Sequence, residues 1–132
     1  MSFNLINPKD LGAPIGYSHG VLVDGGGKLL FVAGQIASDQ NHKIVSDNFA
    51  EQFDKALANV ITVVKAAGGE SNNIIRMMIY VTNKHEYLAQ TMAVGIRYRK
   101  HMGNHFPAMV LLQVASLLDD AAKVEIEAMA VI

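Results

Sequence analysis

From Val124 to Val131 the chain alternates in a strict two-residue rhythm. Val124, Ile126, Ala128 and Ala130 fall on one register, and Glu125, Glu127 and Met129 fall on the other. Successive side chains of a β-strand point to opposite faces, so this segment reads as a strand with one apolar face and one face carrying carboxylates. Glu is rarely buried without a partner. Acids on a strand among aliphatic residues therefore mark either a sheet edge facing water or a site. The apolar run from Phe106 to Leu117 reads as another strand.

The elements around this pair follow from their own periodicities. Phe49, Phe53, Leu57, Val60, Ile61 and Val64 recur at three- and four-residue spacing, which predicts an amphipathic helix. Ser46 or Asp47 is placed to cap it, and Gly68-Gly69 to end it. Ile74 to Val81 is rich in β-branched and large apolar residues and reads as a strand. Glu86 to about Met102 reads as a second helix, stopped by Gly103-Asn104. Toward the N-terminus, Asn7 to Gly16 holds two prolines and two glycines and reads as an extended entry loop. Val21–Asp24 and Lys28–Ala33 read as a hairpin about Gly25-Gly26-Gly27. The predicted order is β-β-α-β-α-β-β: an α+β sandwich with two helices packed on one mixed sheet.

Composition adds what lies around that sandwich. The 132 residues fit one domain. Hydrophobic residues make up 51% and charged residues 17%, so there is more apolar surface than one small core hides. Other subunits are the expected cover. A net charge of −1 argues against nucleic acid as a partner, and no bulk attraction to anionic membranes is expected. There is no cysteine, which excludes disulfides and thiolate chemistry. The N-terminus lacks a basic start followed by an apolar stretch, and no apolar run reaches the ~18 residues of a membrane span. A cytoplasmic location is the expectation.

Several local patterns invite a functional reading and also have a plain one. Gly25-Gly26-Gly27-Lys28 resembles a phosphate loop superficially. The P-loop needs a glycine where Leu22 stands and a Ser or Thr where Leu29 stands, so a turn is the better reading. His101 and His105 are four residues apart, but Gly103 and Asn104 intervene and no third metal ligand is evident. Arg97, Arg99 and Lys100 form a basic cluster on the second helix, read as a face turned to solvent, with an anion contact as the alternative. Tyr17-Ser18-His19 closes the entry loop and is either ordinary loop polarity or a phenol and an imidazole brought to a cleft. Glu125 and Glu127 are either half-exposed acids contacting Lys123, or a general acid/base or water-positioning group.

Four stretches together resemble the RidA family, also called YjgF or the reactive intermediate deaminases. They are Asn7-Pro-Lys-Asp-Leu-Gly-Ala-Pro-Ile-Gly-Tyr17-Ser-His19, Phe31-Val-Ala-Gly34-Gln35, Phe106-Pro-Ala, and Val124-Glu125-Ile-Glu127-Ala128. The resemblance runs nearly end to end. It implies a chorismate-mutase-like fold, a homotrimer with clefts between subunits, and hydrolysis of imines or enamines such as 2-aminoacrylate without cofactor or metal. Some members also carry an endoribonuclease or translation-inhibitor label. The resemblance further implies that Tyr17 bounds the cleft, that Gly34 belongs to a Ser-Gly-Gln motif, and that Glu125 positions the water.

The chain departs from the family pattern in three places. No proline precedes Tyr17, and Ala33 replaces the motif serine. Met109 stands where the family carries the arginine that clamps the substrate carboxylate. Met cannot donate a hydrogen bond, and losing a charge-assisted pair costs ~1.5–3 kcal/mol or more. Met109 and Leu111 instead suggest an apolar pocket. The expected function is a RidA-like deaminase acting on something other than a simple 2-imino acid, with Arg97 or Arg99 as candidate substitutes for the lost arginine. The alternatives are a small-molecule-binding or chaperone-like trimer without chemistry, and an endoribonuclease or translation inhibitor.

Overall fold

A computed structural model of the chain describes residues 2–132. The strands are β1 (Ser2–Ile6), β2 (Gly20–Asp24), β3 (Leu29–Gln35), β4 (Ile74–Val81), β5 (Ala108–Gln113) and β6 (Val124–Val131). The helices are α1 (Phe49–Ala66), α2 (Lys84–Ala89) and α3 (Thr91–Met102). The main sheet has the order β3-β6-β4-β5. It is mixed, with β4 parallel to β5 and β6 antiparallel to both β3 and β4. All three helices pack on this α+β sheet, as expected for the class.

The alternation of β6 does what its sequence predicts. Val124, Ile126, Ala128 and Ala130 are buried, as are Ile74, Met77, Ile79 and Val81 of β4. Phe49, Phe53, Leu57, Val60 and Val64 of α1 lie on this face and are fully buried. Truncating one of these, such as Leu57→Ala, would cost about 2–5 kcal/mol. On the opposite face Leu29 and Phe31 are 61% and 67% exposed, and Met78 and Met129 lie beside them. Among the described residues nothing covers this apolar face. Among them, too, no helix is long and apolar enough to cross a membrane.

Three local expectations change. The cap of α1 is Asn48, whose Oδ1 accepts from the Glu51 backbone N–H at 3.0 Å. Ser46 instead accepts from the Asn48 N–H at 3.0 Å. The second helix divides at Gln90, because the Gln90 side chain turns away to accept the Ala50 N–H at the start of α1. The glycine hairpin does not form: β2 pairs with β1 in a separate two-stranded sheet, while β3 pairs with β6. Gly25, Gly26 and Gly27 all have positive φ, at 89°, 79° and 121°, and they steer the chain from one sheet into the other. Lys28 and Ile132 then exchange both backbone hydrogen bonds, closing β3 onto β6.

Candidate functional site

Tyr17 is held by its neighbour. Ser18 is buried, its hydroxyl donates to the Phe106 carbonyl at 2.7 Å, and its N–H donates to the Pro107 carbonyl at 3.1 Å. The entry loop is thereby stitched to the start of β5. His19 braces the same loop: its Nε2 lies 3.0 Å from the Gly12 carbonyl oxygen, and its ring meets Tyr17 edge-on at 5.2 Å. The result is a cavity of about 640 Å³ bounded by Tyr17, Phe106, Met109, Leu111 and residues of α2 and α3. Tyr98, stacked on Phe106, donates its hydroxyl to the His105 carbonyl, and burial pushes that phenol well above its ordinary range.

Glu125 lies elsewhere. The pairing of β3 with β6 shifts register between Val32 and Gln35, a bulge that contains Ala33 and Gly34. The bulge brings Gly34 against the Glu125 carboxylate. A Cβ at Gly34 would lie 2.9 Å from the Glu125 carboxyl carbon and closer still to Oε2. Gly34, Gln35, His42, Leu118 and Glu125 surround a second cleft of about 540 Å³. Among the described residues the Glu125 carboxylate has no hydrogen-bond or salt-bridge partner. Its neighbour Glu127 differs, since it accepts from the Tyr80 hydroxyl at 2.5 Å. That hydrogen bond, with desolvation and the nearby charges of Glu127 and Glu125, raises the Tyr80 phenol above its ordinary pKa. Lys123 reaches neither acid and pairs with Glu86 at 2.8 Å.

The predicted residues thus fall into two groups. Tyr17, Met109 and Leu111 share the larger cavity, whereas Ala33, Gly34 and Glu125 gather at the bulge. Met109 rides on β5 and Gly34 on β3, the opposite edges of the four-stranded sheet. Three interstrand spacings separate these edges by roughly 14 Å.

The basic cluster also divides. Asp54 of α1 collects Arg97 at 3.6 Å, Lys100 at 2.5 Å and His101 at 2.6 Å. Burial opposes ionisation of Asp54, but the hydrogen bonds from Lys100 and His101 prevail and hold its carboxyl below the ordinary value. His105 Nε2 lies 2.6 Å from the Ile74 carbonyl oxygen, so His101 and His105 serve different partners. Arg99 does not follow its neighbours to Asp54. It stays exposed, as the solvent-facing reading expects, and folds back along α3 to the edge of the cavity that Met109 lines. The sequence signal for this is Gly95, one turn before Arg99 and without a side chain to occupy the space.

The profile of the endoribonuclease L-PSP family matches residues 8–132. The human 2-iminobutanoate/2-iminopropanoate deaminase is 31% identical over 116 residues, covering 87% of this chain and 79% of that protein. A crystal structure of a Yersinia pestis protein of unknown function, YyfB of the conserved Rid protein family, superposes with a TM-score of 0.87 at 29% identity, over 100% of both chains. Escherichia coli TdcF, solved with bound serine, superposes with a TM-score of 0.70 at 32% identity, over 92% of this chain and 91% of that one.

Proposed function

Because this chain belongs to the endoribonuclease L-PSP family, the family of the Rid and YjgF proteins, we propose that it hydrolyses a reactive imine or enamine in a cleft shared by two copies of itself. The observation that carries this reading is the Glu125 carboxylate, seated against Gly34 in an open cleft with no partner among the described residues. A carboxylate so placed suits proton transfer to and from water. Water would add its oxygen to the imine carbon while Glu125 takes a water proton and passes it to the nitrogen. Collapse of the resulting carbinolamine moves the hydroxyl proton to nitrogen by the same carboxylate. The C–N bond then breaks, leaving a carbonyl compound and ammonia.

The edge positions of Gly34 and Met109 support the shared cleft. If β5 of one copy lies beside β3 of the next, a closed ring of three copies joins each Tyr17–Met109 cavity to a Glu125 cleft and covers the apolar sheet face around Phe31. Sedimentation should report a trimer, and a stable monomer at micromolar concentration would refute the shared cleft.

A direct test generates imines in place with an amino-acid oxidase and follows carbonyl formation against a semicarbazide trap. The protein should shield the imine from the trap by hydrolysing it faster, and Glu125→Gln should remove that effect. The absence of arginine at Met109 favours a second reading, a trimer that binds a small molecule without chemistry. Ligand binding with no turnover on any imine, unchanged in Glu125→Gln, would select it. Endoribonuclease activity is supported by the family's name alone, and a net charge of −1 argues against it.

A further inference from the structure

The Tyr17 cavity is apolar on most sides, with Val94, Phe106, Met109 and Leu111 among its walls. Among the described residues that line it, Arg99 alone carries charge at neutral pH. Its guanidinium lies across Gly95, with Nη1 3.4 Å and Cζ 3.9 Å from where a Cβ at that position would stand. Helical side chains lean toward the N-terminus, so residue 99 naturally covers residue 95. A larger residue at 95 would crowd the guanidinium out. The neighbouring cations are already engaged, since Arg97 and Lys100 both serve Asp54. Among the described residues the Arg99 side chain has no hydrogen-bond or salt-bridge partner.

A planar guanidinium at the mouth of an apolar cavity recognises a carboxylate at two points while the body of the ligand lies against the walls. We propose that Arg99 is the carboxylate-binding residue of this cavity, and that the cavity takes carboxylates with a bulky aliphatic or aromatic body. Met109 would then be a wall for that body. The apolar walls offer contact that a three- or four-carbon acid would leave mostly unused. This deepens the deaminase reading and rests on it only for the chemistry: the substrate would be the imine of a large apolar amino acid.

Calorimetry tests the binding without any turnover. The probes are 3-phenylpropionate, its uncharged match 3-phenylpropanamide, and propionate as a carboxylate with almost no body. The wild-type chain should bind 3-phenylpropionate at least tenfold more tightly than either of the others. Arg99→Gln should erase the preference for carboxylate over amide while leaving the melting temperature unchanged. Gly95→Leu, which favours the helix but crowds the guanidinium, should weaken 3-phenylpropionate binding as well. Equal binding of acid and amide by the wild type, no binding of either, or a carboxylate preference that survives in Arg99→Gln would overturn the assignment. Failure of the deaminase reading would appear differently, as Arg99-dependent binding without Glu125-dependent hydrolysis.

Discussion

Gly34 and Glu125 occupy adjoining space, and the carboxylate stands where a side chain at residue 34 would begin. The carboxylate Cγ lies 3.1 Å and the carboxyl carbon 2.9 Å from the Cβ position, and neither Gly34 nor the bulge requires a left-handed backbone. The glycine is needed for room, not for conformation. Gly34→Ala should therefore displace Glu125. Hydrolysis should fall at least tenfold while the melting temperature drops by only a few degrees, because residue 34 is exposed. The double variant Gly34→Ala/Glu125→Ala removes the collision and should melt higher than Gly34→Ala alone. Kinetics and thermal melts of the three proteins check this.

Glu125 and Glu127 share a strand face but should differ in what they do. Glu125→Gln should abolish hydrolysis and leave the melting temperature near that of the parent. Glu127→Gln should keep hydrolysis and release Tyr80, whose phenol is raised above 10.0 first of all by the Glu127 hydrogen bond. A raised phenol favours its neutral form in the fold. That contribution to stability is fully present below the ordinary phenol value and is lost as pH rises through the folded one. Glu127→Gln should weaken this alkaline loss and lower the Tyr80 titration midpoint, read by tyrosine absorbance with Tyr80→Phe as the reference. Equal effects of the two glutamine variants on hydrolysis would remove Glu125 from its role.

Met109→Arg should place a second guanidinium in the Tyr17 cavity. The long aliphatic stem suits a half-buried position against the core, with the charge toward the opening. Turnover of 2-aminoacrylate-type imines, expected to be slow in the parent, should rise tenfold or more. Binding of 3-phenylpropionate should weaken as the cavity narrows. A coupled assay showing fast turnover of small imino acids by the unmodified chain would contradict the first of these expectations.

Gln52 predicts a cost in stability. It is completely buried on α1, donates to the Ser46 and Ala121 carbonyls at 2.7 and 3.0 Å, and accepts from the Lys123 N–H at 2.8 Å. Gln52→Leu has nearly the same volume but takes the side-chain partner from three part-buried backbone groups. A loss of about 2–4 kcal/mol is expected from chemical denaturation. The same bonds fix the chain just before β6, so this variant should also loosen Glu125 and reduce hydrolysis below what the lost fold accounts for.

What the sequence disclosed varies by element, for physical reasons. The stripe on α1 and the run Ile74–Val81 are long, strongly patterned and buried, and both appear where periodicity places them. β1 is five residues whose sheet partner among the described residues is β2, so its pairing depends on where the loop of residues 7–19 is anchored and not on its own pattern. The break at Gln90 carries no proline or glycine, because its cause is a side-chain bond to a distant helix start. Glu125 and Gly34 were legible only through motif resemblance, since spacing alone fits a solvated strand. Arg99 is exposed, as a solvent-facing helix position predicts, but helical periodicity locates a residue on a face and does not say which way a long side chain folds. Gly95 decides that, and its meaning emerges only beside the cavity.

The placement of Gly34 and Met109 on opposite sheet edges has a genetic meaning under the proposed ring. One allele damaged at Glu125 and another damaged at the Tyr17 cavity spoil different halves of each cleft. Neither allele alone would support function. Expressed together, they would build mixed rings in which an intact half from one chain meets an intact half from its neighbour. Two recessive lesions in a single gene would then complement each other, whereas two lesions on the same half would not.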